Sequence, residues 1–351
     1  MKTKLIKIDS ENIDLQKLEE AADALRKGEI VAIPTETVYG LGADALNPGA
    51  VEKIFKAKGR PSDNPLIVHI ADREWVERLT RSIPEKALVL MDKLWPGPLT
   101  LVMRKSSIIP GIITAGLDTV AIRMPEHPVA RELIRLAGVP VAAPSANVSG
   151  RPSTTTAQHV IDDLEGKIQM VVDAGSSSVG LESTVLDVTV EPPVLLRPGG
   201  ITPGQLEELI GPIEIDSTIL GKTSLENTPK APGMKYTHYS PDAQVVIIRG
   251  SDMKKQVEKI LQLAKEHREA GRSVGICSTD QTAKSYSDFL ALSMGDRSRP
   301  ETIAARLFAL LREFDGRGVD VIIAEAVEEH EVGLAIMNRL IKAAGYDIIE
   351  V

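Results

Sequence analysis

Between Gly211 and Pro241 the chain loses periodicity. "GPIEIDSTILGKTSLENTPKAPGMKYTHYSP" carries no sustained apolar repeat, and prolines, glycines and polar residues recur through it. A stretch this long without a period is a linker or a functional lid, not part of a core. Patterned sequence lies on both sides of it. The chain is therefore expected to fold as two separately cored domains, residues 1–211 and 243–351, joined by a linker or lid over 212–242. A length of 351 residues agrees, since single cores stop growing near ~250–300 residues.

The two flanks differ in rhythm. On the N-terminal side "TKLIKI" alternates like a strand, and "DLQKLEEAADALRKG" has apolar residues at helical spacing, with Asp14 placed to cap it and Gly28 to stop it. "EIVAIP" reads as a short buried strand. In "NPGAVEKIFKAKG", Asn47 is the expected cap, Pro48 the first helical residue and Gly59 the terminator. Strands are expected at "LIVHI", "LTLVM", "TVAIRM", "VPVAAP", "MVVDAG", "STVLDV" and "VLLRPG", with helices around 84–94, 128–137 and 156–164. Beyond the linker, "QVVIIRG", a helix through 253–270, "SVGICS", a further helix, "LALSMG", the helix "ETIAARLFALLREF", "VDVIIAEA" and "GLAIMNRLIKAAG" alternate regularly. That alternation implies a small, mostly parallel sheet with helices on its faces.

Charge and cysteine content limit the function classes. A formal net charge of -8 argues against coating nucleic acid non-specifically. No apolar run approaches the ~20 residues of a membrane span, and the start returns to polar residues too soon for a signal peptide. Cys277, the single cysteine, rules out an internal disulfide or a multi-cysteine metal site and suits a small buried residue. A cytoplasmic location is the expectation. Against this acidic background, "KAKGRPSDNPLIVH" gathers Lys56, Lys58, Arg60 and His69 at a corner kinked by Gly59, Pro61 and Pro65.

Some motifs are misleading. "GLGADA" satisfies G-x-G-x-x-A, but no strand is expected to run directly into Gly40, and basic residues replace the acidic one required further on. "GKT" at 221–223 lacks the first glycine of a phosphate loop, since Asp216 stands there. Six scattered histidines make no zinc cluster. What remains is a set of small-residue turns at strand ends: "PTETVYGLGA", "KAKGRPSDNPL", "GLDTVAIRMP", "APSANVSGRPS", "GLESTVLD" and "LLRPGG". Small residues let backbone N–H groups approach an anion, and Arg and Lys supply the compensating charge. Ser145, Asn147, Ser149 and Ser153 add hydroxyl and amide groups without bulk. This chemistry suits a nucleotide triphosphate held without a phosphate loop. Taken singly, Lys56 and Lys58 also suit the cationic last turn of a helix, and His69 a satisfied core histidine.

Together, "PTETVYGLGA", "KGRPSDNPL", "WPGPLTLV", "VAIRMP", "PSANVSGRPS", "ESTVLD" and "LLRPGG", in this order, resemble the YrdC-like threonylcarbamoyl-AMP synthases. "KAPGMKYTHYSP" followed by a small α/β domain resembles the long form of that family. The resemblance covers essentially the full chain. It implies a YrdC-like twisted mixed sheet with helices and an open basic cleft, plus a smaller Rossmann-like parallel α/β domain. It also implies a reaction in which L-threonine, bicarbonate and ATP give threonylcarbamoyl-AMP and pyrophosphate, with Mg²⁺ arriving on ATP. The product would serve tRNA modification through a separate transferase. By the same resemblance, Thr37, His69, Arg123, the Ala143 backbone and Ser183 line the threonine side. Arg60, Asn64, Thr119, Ser145, Ser153 and Arg197 hold ATP, with Lys56 and Lys58 against its phosphates. Gly233 and Tyr236 close the cleft from the linker, and no residue stands out as a general base. Three rivals stand beside this reading. Hydrogenase-maturing carbamoyltransferases share the domain but need cysteine-rich zinc motifs that one cysteine cannot supply. An RNA-binding module and a nucleotide-binding regulator are the others.

Overall fold

The structure is a computed structural model that describes residues 2–219 and 239–351. Its described residues form two compact units: 2–149 with 153–219, and 150–152 with 239–351.

The first unit is built on an 11-stranded mixed sheet. Its strands are β1 (Lys4–Lys7), β2 (Val31–Ile33), β3 (Gly40–Asp44), β4 (Ile67–His69), β5 (Leu99–Arg104), β6 (Thr119–Arg123), β7 (Val141–Ala142), β8 (Met170–Asp173), β9 (Thr184–Asp187), β10 (Val194–Arg197) and β11 (Glu214–Ile215). They lie in the order β1-β8-β2-β3-β7-β4-β6-β5-β9-β10-β11. The helices are α1 (Leu15–Arg26), α2 (Pro48–Lys58), α3 (Glu74–Leu79), α4 (Glu85–Leu94), α5 (Pro128–Ala137), α6 (Ala157–Leu164) and α7 (Pro203–Ile210).

The helix ends follow the sequence signals. Asp14 accepts from the Lys17 N–H at the start of α1, Asn47 accepts from the Ala50 N–H at the start of α2, and Gly28 follows α1 with a φ of 74°. On α1 the spacing of Leu18, Ala21, Ala22 and Leu25 makes one buried face. That face joins Val129, Leu133 and Ile134 of α5 with Val31, Ile33, Met170 and Val172 of the sheet in one core cluster. Each leucine buried there contributes about 1.5–3 kcal/mol.

The sheet departs from expectation at "GLGAD". These residues are strand β3, antiparallel to β2, and so form no phosphate-binding turn. Glycine is depleted in strands, so sequence alone does not point to one there. Periodicity likewise gave no sign of α3, α7 or the two-residue β11, which pairs with β10 inside the stretch expected to be linker.

In the second unit β12 (Gln244–Arg249), α8 (Met253–Glu269), β13 (Val274–Ser278), β14 (Leu290–Ser293), α9 (Pro300–Gly316), β15 (Val321–Glu325), α10 (Val332–Ala343) and β16 (Ile348–Glu350) alternate as the sequence implies. The five-stranded sheet runs β14-β13-β15-β12-β16, with every pair parallel. The helix expected after "SVGICS" is only a short 3₁₀ turn at Ala283–Tyr286. Thr279 and Thr282 bond to each other there, and Tyr286 is drawn inward to the carboxylate of Glu325. Local side-chain bonds of this kind compete with helix formation. Among the described residues no helix is long and apolar enough to cross a membrane.

Candidate functional site

The kinked corner that gathers Lys56, Lys58 and Arg60 is set by Gly59. Its φ of 62° is left-handed, a conformation that ends α2 and that a residue with a Cβ adopts poorly. The turn separates the two lysines. Lys56 stays exposed on the last turn of α2, while Lys58 is 2% exposed. The Lys58 ammonium donates to the carbonyls of Ser145 at 2.6 Å and Asn147 at 2.5 Å, and the Ser149 N–H donates back to the Lys58 carbonyl at 2.9 Å. Two of the three ammonium protons of Lys58 are thus given to loop carbonyls. A buried ammonium requires acceptors, and here it braces the 145–149 loop. Arg60 is half-buried, with Nη2 3.3 Å from the Pro65 carbonyl. Asn64 is buried, and its Oδ1 has no hydrogen-bond donor among the described residues.

Strand register assembles the next group. His69 on β4 pairs with Arg123 on β6, Arg123 pairs with Thr100 on β5, and Thr100 pairs with Val185 on β9. Arg123 is buried: Nη1 donates to Thr37 Oγ1 at 2.8 Å, Nε donates to the Gly97 carbonyl at 3.3 Å, and Nη2 lies 2.6 Å from Glu36 Oε1. That last contact is ionic: Nη2 and both Glu36 oxygens are buried without a well-aligned hydrogen bond. Burial is the largest single influence on the Glu36 carboxyl and would raise it, but the Arg123 charge and hydrogen bonding together with backbone N–H groups outweigh it and hold the carboxyl below its usual value.

His69 Nδ1 sits 3.3 Å from the Ile67 carbonyl. Burial, and then the charges of Arg123 and Arg197, depress its pKa to about 3. His69 is thus neutral at physiological pH and stands within the field of both arginines. The sign for stability follows. Below the unfolded value of ~6.5 the unfolded chain takes up a proton that the folded chain refuses until about pH 3. This residue is expected to remove up to about 1.4 kcal/mol of stability per pH unit as pH falls through that window. Urea unfolding from pH 7 to pH 4 checks it. His69→Gln should flatten the slope, and an unchanged slope would show that other groups dominate.

Across the sheet, Ser183 Oγ lies 2.7 Å from Thr100 Oγ1 and accepts from Arg197 Nη2 at 3.1 Å, while Arg197 Nε donates to the Ser183 carbonyl at 3.0 Å. Arg197 reaches Ser183 because the turn after β10 packs flush on residues 182–184. A Cβ on Gly199 would stand 2.3 Å from the Thr184 nitrogen and 2.6 Å from the Glu182 carbonyl. Ser153 Oγ donates to Glu182 Oε1 at 2.5 Å, which ties the serine-rich loop to the same segment. The Ala143 N–H is taken by the Ile67 carbonyl at 3.0 Å.

Thr37, His69, Arg123, Ser183 and Arg197 therefore form one buried polar cluster. Ser145 is half-buried, on the loop that Lys58 braces. Thr119 lies at the opposite end of β6 from Arg123. Four residues at ~3.3 Å each separate them by about 13 Å on one face. Lys56 lies apart on the surface, and Gly233 and Tyr236 lie outside the described residues. Sequence reasoning missed Glu36, Thr100 and Glu182. Glu36 and Glu182 are buried acids, a rare condition that composition does not reveal, and Thr100 reads as an ordinary strand residue. The described residues bring no three His, Cys, Asp or Glu side chains together as a metal cage.

Two family models match the chain: "Telomere recombination" over residues 23–199, and "Threonylcarbamoyl-AMP synthase, C-terminal domain" over residues 201–345. The chain is 51% identical to the threonylcarbamoyl-AMP synthase of Pyrococcus abyssi, over 97% of this chain and 98% of that protein. It is 53% identical to that of Bacillus subtilis, over 95% and 94%. The crystal structure of P. abyssi Sua5 complexed with L-threonine superposes with a TM-score of 0.95 at 51% identity, covering 99% of this chain and 100% of that one.

Proposed function

Because the chain belongs to the threonylcarbamoyl-AMP synthase family, in the form that carries the synthase C-terminal domain, we propose that it makes threonylcarbamoyl-AMP from L-threonine, bicarbonate and ATP. The threonine nitrogen captures bicarbonate as a carbamate with loss of water. A carbamate oxygen then attacks the α-phosphorus, and pyrophosphate leaves, so the enzyme acts as a nucleotidyltransferase. The buried cluster of Thr37, His69, Arg123, Ser183 and Arg197 carries this reading. It supplies fixed donors and a neutral imidazole in one place, and a close relative was crystallised with L-threonine.

In this reading the cluster and the Ala143 carbonyl receive the amino acid. Arg60, Asn64 Oδ1, Thr119, Ser145, Ser153 and Arg197 receive ATP, which arrives as its Mg²⁺ complex with the ion held by phosphate oxygens and water. The ~13 Å from Arg123 to Thr119 suits a ligand as long as a threonyl-linked adenylate. Exposed Lys56 contributes charge at longer range. Gly233 and Tyr236 would shelter the adenylate from water. Buried donors set before the reaction stabilise developing charge without reorganising, so positioning supplies the catalysis and no general base is assigned. The product's mixed anhydride is an activated acyl group, suited to consumption by a separate transferase acting on tRNA.

The test is pyrophosphate release from ATP with bicarbonate present, comparing L-threonine, L-serine and no amino acid. Release that requires both threonine and bicarbonate, with the adenylate seen by mass spectrometry, is expected. Release indifferent to threonine would discard the substrate.

A further inference from the structure

The protons of the two hydroxyls that meet at Arg123 Nη1, Thr35 and Thr37, can be placed. Thr35 Oγ1 donates its only proton to the Val38 carbonyl at 2.6 Å. The 2.9 Å contact between Thr35 Oγ1 and Thr37 Oγ1 must therefore take its proton from Thr37. Thr37 Oγ1 also accepts from Arg123 Nη1 at 2.8 Å. Its proton and one lone pair are thus committed, leaving a lone pair but no proton for a ligand. The Val38 carbonyl sets the direction of this chain, and Arg123 Nη1 holds it by occupying a Thr37 lone pair. The Arg123 guanidinium is fixed by Gly97 behind Nε and by the Glu36 carboxylate, 2.6 Å from Nη2, with both charged side chains about 95% buried.

We infer that Glu36 is a positioning residue for amino-acid recognition. By holding and neutralising Arg123, it keeps Nη1 on Thr37, whose remaining lone pair is then an obligatory hydrogen-bond acceptor for a donor on the amino acid. This rests on the threonine reading of the same site and adds a selection rule. The amino acid must offer an N–H or O–H at Thr37, because a site with a fixed acceptor leaves it unpaired when the donor is missing.

The test is a double-mutant cycle on the full-length protein, read as KM for L-threonine and for ATP in pyrophosphate release. Glu36→Gln is expected to raise the threonine KM at least tenfold with ATP KM within twofold. Thr37→Val is expected to do the same. Adding Glu36→Gln to Thr37→Val is expected to change threonine KM less than twofold, because the acid acts through that hydroxyl. A general loss of packing would instead carry undiminished into the double variant and overturn the inference, as would an unchanged threonine KM in Glu36→Gln. Should Glu36→Gln fail to fold, Thr35→Val breaks the chain from its neutral end, and an unchanged threonine KM there overturns it equally. Competition by L-valine, which lacks the hydroxyl, locates the donor. A threonine-over-valine preference that falls in Glu36→Gln puts it on the side chain. A constant preference with both affinities reduced puts it on the nitrogen. If the unsubstituted protein shows no threonine-dependent turnover, the proposed function itself fails, an outcome distinct from all of these.

Discussion

Arg60→Ala is expected to lower kcat/KM for ATP about a hundredfold, roughly 2.7 kcal/mol of lost transition-state binding, while leaving the unfolding temperature within a degree or two. The size is that of the one charge-assisted contact to a phosphate proposed for Arg60 in this partly desolvated corner. The small effect on the fold follows from the geometry. The contacts of Nη2 with the Pro65 and Asn64 carbonyls, at 3.3 and 3.5 Å, are at the long end of hydrogen bonding, and the kink itself is held by Gly59, Pro61 and Pro65. Arg60→Lys should recover only part of the loss, because an ammonium lacks the planar fork of a guanidinium. Separate titrations of ATP and threonine decide the matter. A defect confined to threonine would move Arg60 to the other end of the site, and no defect at low ATP would remove it from the mechanism.

The largest expected effect on stability lies in the second unit. Glu325, at the end of β15, is 0% exposed and surrounded by donors. Its Oε2 accepts from the Thr279 N–H at 3.1 Å, Thr279 Oγ1 at 2.9 Å and Arg297 Nη2 at 2.9 Å, and its Oε1 accepts from the Tyr286 hydroxyl at 2.7 Å. Burial, with the Glu325 charge beside it, drives the Tyr286 pKa well above its ordinary value. Glu325→Ala strands these donors, and breaking a buried pair from one side costs about 3–5 kcal/mol. Arg297 is 22% exposed along its side chain and can turn toward water, which places the expectation near the lower bound. Trp75 and Trp95 both lie in the first unit, so tryptophan fluorescence does not follow the second. Amide hydrogen exchange along β13 and β15 does. Protection there should collapse in Glu325→Ala and largely survive in Glu325→Gln, which can still accept from Tyr286. A loss under about 1 kcal/mol would show that these bonds are replaced by water.

Much of the site was legible because its residues announce themselves locally. The glycine that ends α2, the proline after it and the serine-rich turn define backbone shapes within a few residues, and their co-occurrence suggested a ligand with phosphates. Partner choice was not legible. Lys58 and Lys56 are two residues apart with the same side chain, yet one is buried against loop carbonyls more than eighty residues away in sequence and the other faces solvent. From the sequence Arg123 is expected only to line the threonine side, and only the structure shows Glu36 beside it.

The sequence by itself determined most helix boundaries, the parallel alternation of the second domain and the family to which the chain belongs. Each of these depends on periods, caps and ordered motifs that act over short distances along the chain. Tertiary structure alone decided which charges are paired, which hydroxyl protons are committed, and that "GLGAD" is a strand. Those outcomes depend on strand register. The pairing of β4, β6, β5 and β9 brings residues 69, 123, 100 and 185 side by side, and no local pattern encodes which strands become neighbours.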